Sequence, residues 1–113
     1  MTPASFRKIA LSLDGAIEGS HGGHADFRAA GKVFATLGYP DPGWGMVKLS
    51  PEQQQIVVAA EPDIFVPVKG SWGLRGATGV RLKAADAWTA KSALAMALRH
   101  VTAGKRRKRV SSR

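Results

Sequence analysis

The chain has 113 residues, 44% of them apolar and 22% charged, with a formal net charge of +9 and no cysteine. This length and composition are typical of one small globular domain, and they exclude a disulfide framework, a thiol nucleophile and cysteine-ligated zinc. No apolar run approaches the ~20 residues that a membrane-spanning helix needs, and the first apolar stretch is too interrupted for a signal peptide, so we expect a cytoplasmic protein.

The positive charge is concentrated near the C-terminal end. Six basic residues and no acidic one stand in the last nine residues, KRRKRVSSR, which leaves a net charge of only +3 for residues 1–104. A block of like charges repels itself and attracts polyanions, because neutralised phosphates release their counterions. The sequence therefore predicts one domain over residues 1–103 and a disordered basic tail over 104–113. The simpler role for such a tail is to keep the protein in solution.

The first forty residues predict one helix and one hairpin. Apolar side chains at spacings of three and four, from Phe6 to Ile17, predict a helix over residues 4–14 that Asp14-Gly15 ends. Residues 18–24, EGSHGGH, are rich in glycine and are interpreted as a loop. Strand-like segments on both sides of Ala30-Gly31 predict a two-residue hairpin, because glycine accepts the positive φ that such a turn requires.

The remainder of the domain predicts three strands and two helices. Alternation predicts a strand over residues 44–49, and Ser50-Pro51 with Gln53 predicts a capped helix over about 51–60 whose buried face includes Ile56. Residues 64–68 contain a proline, which suits an edge strand. Residues 69–76 are a second glycine-rich loop, residues 78–83 a strand, and residues 85–101 the final helix.

This order of elements predicts an α+β fold. Strands joined by a two-residue hairpin pair antiparallel, so we expect an antiparallel sheet with helices packed on one face and the other face open. Where the apolar residues of the alternating strands point to the helices, three cations lie on the open face: Lys48, Arg81 and Lys83.

Four blocks of the sequence resemble the MmcQ/YjbR family of small bacterial proteins. They are EGSHGGHADFR at 18–28, GKVFATL at 31–37, GMVKLSPEQQ at 45–54 and GSWGLRGATGVRL at 70–82, and the resemblance spans roughly residues 4–101. It implies a CyaY-like (frataxin) fold, with two terminal helices against an antiparallel sheet and an extra helix at 51–60. Family members are described as predicted DNA-binding proteins with a double-wing motif. The resemblance carries over no catalytic residue.

His21, His24 and Asp26 form a candidate ligand loop. Imidazole and carboxylate groups ligate transition metals, but a glycine-rich loop does not pre-organise its ligands, and the chain has one further histidine, His100. We therefore predict no bound metal and no cofactor. Solvated or locally packed histidines are the simpler interpretation, and a small ligand held by His21 and His24 is the alternative.

Catalytic and nucleotide-binding motifs are not found. The chain has no G-x-S-x-G motif, and the glycine loop at 70–76 matches neither a Walker A loop nor a dinucleotide fingerprint. With Arg75 that loop nevertheless resembles a wing, a protruding basic hairpin that contacts phosphates. Three tryptophans offer stacking surfaces for bases, although packing in the core or at its edge is the simpler role, above all for Trp88.

The interpretation that we favour is a non-enzymatic protein that binds DNA or another polyanion with low sequence specificity through phosphate contacts. It would act as a monomer or weak homodimer and away from membranes. The expected contact residues are Lys48, Arg75, Arg81 and Lys83 on the domain and Lys105, Arg106, Arg107, Lys108 and Arg109 on the tail. The alternative is a small-ligand or protein-binding module that uses the His21/His24 loop.

Overall fold

The computed structural model describes residues 1–39 and 41–111, with side chains as far as residue 103. Within these residues the helices are α1 (Pro3–Leu11), α2 (Pro51–Ala60), α3 (Ser71–Leu74) and α4 (Ala87–Ser111). The strands are β1 (Ile17–His21), β2 (His24–Ala29), β3 (Lys32–Leu37), β4 (Trp44–Lys48), β5 (Phe65–Pro67) and β6 (Ala77–Arg81).

All six strands form one sheet in the order β1-β2-β3-β4-β6-β5, and every neighbouring pair is antiparallel. The short strand β5, which includes Pro67, lies at one edge as predicted, and β1 lies at the other. The predicted α+β class, the antiparallel sheet and the helix at 51–60 are confirmed.

The predicted loop at residues 18–24 is wrong, because these residues form a second hairpin. Gly22 and Gly23 have φ values of +56° and +80°, and they connect β1 to β2 so that His21 pairs with His24. Both central positions of such a turn need positive φ, and two glycines supply it without strain. The first helix therefore ends at Leu11, and Ile17 begins a strand with 63% of its surface exposed.

Side chains that satisfy free backbone N–H groups mark where the three longer helices begin. Thr2 accepts a hydrogen bond from the Ser5 N–H at α1, and Ser50 and Gln53 form the predicted reciprocal capping box at α2. Asp86 accepts from the Thr89 N–H at 2.7 Å at the start of α4, and this hydrogen bond lowers the pKa of Asp86.

Helices α1 and α4 pack against each other and against the same face of the sheet. The Phe6 ring lies directly over Gly45, where a Cβ would come within 2.8 Å of Phe6 Cζ, and it meets Phe27 edge-on at 6.5 Å between ring centroids. Gly45 and Val47 therefore face the helices. Because strand residues alternate, Trp44, Met46 and Lys48 face the other way, onto what we call the open face. This face is not open along its whole length, since Met46 is buried there.

Helix α4 extends past its predicted end near Val101 and reaches Ser111. The side chains of residues 104–111 and the whole of residues 40, 112 and 113 lie outside the described residues. The side chains of the five tail cations, Lys105, Arg106, Arg107, Lys108 and Arg109, lie there, so the contacts expected of them remain a prediction. The helical backbone to Ser111 differs from the disordered tail predicted over 104–113.

Candidate functional site

Two adjoining cavities open where β3 begins and β4 ends. The larger measures about 550 Å³ and is lined by Lys32, Val33, Lys48, Leu49, Trp72, Arg75, Ala77, His100 and Val101. The smaller measures about 380 Å³ and is lined by His21, Arg28, Gly31, Val33, Thr36, Met46, Lys48 and Trp72. Since Lys48 and Trp72 line both cavities, we treat the two as one feature and call it the basic cleft.

The larger cavity is strongly positive. Three cations line it, Lys32 from the start of β3, Lys48 from the end of β4 and Arg75 from the end of α3, and each is exposed. None of the described side chains that line it is acidic. The positive potentials of cations at the wall of a concave surface add together, because the low-dielectric walls focus their field. The cavity is therefore suited to a ligand with several negative charges.

Helix α3 holds Trp72 and Arg75 against the sheet, so the predicted protruding loop at 70–76 is wrong. The buried side chain of Gln54 on α2 donates from Nε2 to the carbonyls of Gly73 at 3.0 Å and Ala77 at 2.9 Å. A Cβ at Gly73 would lie 1.6 Å from the Val68 carbonyl oxygen, so the two backbones are in close contact. These contacts fix the position of α3 at the cleft.

Two residues that line the smaller cavity, Arg28 and His21, are paired with the buried carboxylate of Asp26. Asp26 is fully buried and accepts hydrogen bonds from Arg28 Nε at 2.8 Å, Arg28 Nη2 at 3.0 Å and His21 Nδ1 at 2.7 Å. A carboxylate can only accept, so His21 donates to it from Nδ1. Gly19 makes room for this group, because a Cβ there would lie 2.9 Å from Asp26 Oδ1.

The hydrogen bonds from Arg28, assisted by the one from His21, lower the pKa of Asp26 from 3.8 to about 2 although burial opposes the shift. We expect Asp26→Asn to lower the free energy of unfolding by about 2 kcal/mol at neutral pH, because it removes hydrogen bonds to a charged acceptor. A carboxyl group whose pKa is lower in the folded than in the unfolded state stabilises the fold at pH values above its unfolded pKa. This contribution is lost as the pH falls through the folded pKa.

The difference in the free energy of unfolding between the wild type and Asp26→Asn should therefore be constant above about pH 4. It should shrink between pH 4 and 2, the interval between the unfolded and folded pKa values of Asp26. Urea denaturation over this pH range measures it, with Asp63→Asn at an exposed site as the control. A difference that persists undiminished at pH 2 would contradict the assigned role of the Asp26 charge.

The cleft brings together some of the sequence-predicted residues and leaves others outside. Lys48, Arg75 and His21 line it. Arg81 lies on the open face, as predicted, with its guanidinium 4.9 Å from the Trp44 ring centroid, and Lys83 follows the end of β6. His24 is not among the lining residues, so the two histidines do not converge on the cavity. Within the described part of the chain, no group of three or more His, Cys, Asp or Glu residues is arranged to hold a metal ion.

Sequence reasoning missed three residues of the cleft and misplaced one tryptophan. Lys32, Arg28 and His100 line the cavities but carried no motif that would have singled them out. The register of β2 on β3, with Arg28 opposite Val33 and Lys32 opposite Ala29, brings Arg28 and Lys32 to the site. Trp88, expected in the core, is 78% exposed on α4.

A six-stranded antiparallel sheet with terminal helices packed on one face makes this a small α+β protein. The chain belongs to the YjbR family, whose sequence pattern matches residues 11–99.

Similarity to a solved structure supports the fold. A protein of Deinococcus radiodurans, DR2400, whose crystal structure contains the domain DUF419, has a similar structure with a TM-score of 0.72. The match covers 89% of this chain and 78% of that one at 17% identity, so it bears on the fold alone. A search of curated proteins found no match. Among the described residues, no helix combines the length and the apolar character needed to cross a membrane.

Proposed function

We propose that this YjbR-family protein binds nucleic acid with low sequence specificity, through phosphate contacts and without catalysis. The observation that carries the proposal is the larger cavity, about 550 Å³ in volume, with Lys32, Lys48 and Arg75 at its wall and no acidic group among its described lining residues. We also propose that this activity is cytoplasmic.

The basic segment, residues 105–109, adds to the positive charge of the cleft. His100 and Val101 line the cleft, and the chain continues from them within four residues into Lys105–Arg109. A polyanion that lies in the cleft and follows α4 would meet both sets of cations. Contacts of this kind go to phosphates and therefore position the protein without reading sequence. Each phosphate that is neutralised also releases counterions, so the affinity should depend steeply on salt.

Fluorescence anisotropy with labelled DNA of mixed sequence, from 50 to 200 mM salt, tests the proposal. We expect Lys48→Gln and Arg75→Ala each to flatten the plot of log affinity against log salt by about one unit, with sequence preference unchanged. Lys8→Gln is the matched control, because Lys8 is an exposed lysine on α1, on the other side of the sheet. Absence of binding at the lowest salt, or equal effects of Lys8→Gln and Lys48→Gln, would refute the proposal.

The cleft also supports a second candidate, a small anionic ligand in place of a polymer. Its volume of about 550 Å³ lies within the ~300–1,000 Å³ typical of small-molecule pockets. In this form the earlier alternative moves from the His21/His24 loop to the cleft, where His21 alone of the two histidines is found. Isothermal titration with inorganic triphosphate separates the candidates. Tight saturable binding by one equivalent, together with weak DNA binding, would favour the small ligand.

A further inference from the structure

We propose that the basic cleft and the adjoining open face select single-stranded over double-stranded nucleic acid, with the Trp72 ring stacked on an unpaired base and Lys48 and Arg75 on the neighbouring phosphates. This inference rests on the proposed function and specifies which form of nucleic acid the same site takes.

Trp72 is placed as a stacking residue would be. Its side chain lies between the two cavities and lines both, and 45% of its surface is exposed although it stands among apolar and cationic neighbours. The Tyr39 ring lies 6.2 Å away between centroids, tilted by 58°. A large aromatic side chain that the core leaves uncovered, with cations on both sides, is the usual means of binding unpaired bases.

The open face continues this surface beyond the cleft. Trp44 is half-buried there, with the Arg81 guanidinium above its ring at 4.9 Å. A further cavity of about 380 Å³ lies beside it, lined by Tyr39 and Trp44 together with one acidic and one basic residue, Asp41 and Lys69, among others. Aromatic side chains interleaved with cations on an open antiparallel sheet are how several single-strand-binding domains hold successive bases.

A duplex cannot use the exposed ring of Trp72. Its bases are already stacked and paired inside the helix, so it can offer the cleft only phosphates, whereas an unpaired strand offers phosphates and base faces together. Gln54 and the close contact at Gly73 already hold α3 in place, so little freedom is lost when a base stacks on Trp72. The stacking contact therefore favours the single strand.

Affinities of the full chain for a 12-nucleotide oligothymidine and for a 12-base-pair duplex, at one low salt concentration, test the inference. We expect Trp72→Ala to weaken oligothymidine binding roughly 5- to 150-fold, the range for loss of one stacked base, and to change duplex affinity less than about 2-fold. Repeating the oligothymidine titrations from 50 to 200 mM salt should give the same salt dependence for Trp72→Ala and the wild type, because stacking releases no counterions. Trp72→Tyr should restore most of the lost affinity.

Trp88→Ala is the matched control. Trp88 is 78% exposed on the same helix that lines the cleft, but it lies about 18 Å along the axis from His100. Trp88→Ala should change the affinity for neither the oligothymidine nor the duplex. Trp72→Leu keeps an apolar side chain at the position, so it replaces Trp72→Ala should the alanine variant fail to fold.

The outcomes separate the two proposals. Unchanged oligothymidine affinity in both Trp72→Ala and Trp72→Leu, or equal losses for both ligands, overturns the single-strand inference and leaves phosphate binding intact. Failure of the wild type to bind either ligand overturns the proposed function itself.

Discussion

Deletion of residues 104–113 should flatten the plot of log DNA affinity against log salt by several units and remove most of the affinity at low salt. These residues hold six of the nine net positive charges. Each lysine or arginine that touches a phosphate contributes about −0.9 to the slope for duplex DNA. The single substitutions in the cleft should each change it by about one unit, so this is the largest effect on binding that we expect.

A second variant distinguishes charge from chain length. Glutamine in place of Lys105, Arg106, Arg107, Lys108 and Arg109 keeps the full chain and removes five charges. It should behave like the deletion, and circular dichroism should confirm that both variants retain the fold. If the deleted chain binds with the same slope as the wild type, the basic segment takes no part in binding and the cleft alone carries the proposal.

Gly73→Ala should lower the free energy of unfolding by about 3 kcal/mol, the upper end of what overpacking usually costs. The added Cβ would lie 1.6 Å from the Val68 carbonyl oxygen and 2.7 Å from its carbonyl carbon, and backbone atoms cannot rotate away as a side chain can. Helix propensity acts in the opposite direction, since alanine is favoured over glycine inside a helix by about 1 kcal/mol. A loss of stability therefore isolates the steric clash.

Gly43→Ala is the matched control, because a Cβ at Gly43 has no neighbour within 4 Å. It should change the free energy of unfolding by no more than ~0.5 kcal/mol in urea denaturation. Gly73→Ala should also weaken DNA binding when measured on the folded fraction, because α3 carries Trp72 and Arg75 into the cleft. A stable Gly73→Ala variant with unchanged affinity would show that the position of α3 is not important for either property.

The parts of the fold that were predicted correctly depend on local signals. Ser50, Pro51 and Gln53 lie within four residues and suffice to start α2, and Ala30-Gly31 suffices to turn the β2–β3 hairpin. Alternation along β4 likewise gave the correct face for Lys48. Each of these signals is contained in a few neighbouring residues, so no knowledge of the tertiary structure was required.

The predictions were wrong where residues distant in sequence determine which side chains are buried. On α2 Ile56, one of the residues expected on the buried face, is 67% exposed, whereas the polar Gln54 is buried because the carbonyls of Gly73 and Ala77 accept hydrogen bonds from its amide. Neither acceptor can be located from the sequence of α2 itself.

The cleft could not be predicted for the same reason. Lys32, Lys48, Arg75 and His100 come from four separate elements, and only the strand order with the placement of α3 brings them together. The pair Gly22-Gly23 illustrates the point locally: it forms a tight turn and not a loop, because His21 and its neighbours find partners in β2.

The two edges of the sheet differ in what they offer to another strand. At one edge β5 has three residues, and Pro67 among them has no N–H to donate; at the other, β1 presents five residues with backbone donors and acceptors. Growth of the sheet by self-association can therefore use β1 alone. Two copies joined through β1 leave only β5 edges outermost, so such an assembly closes as a two-fold pair and does not propagate into a fibre.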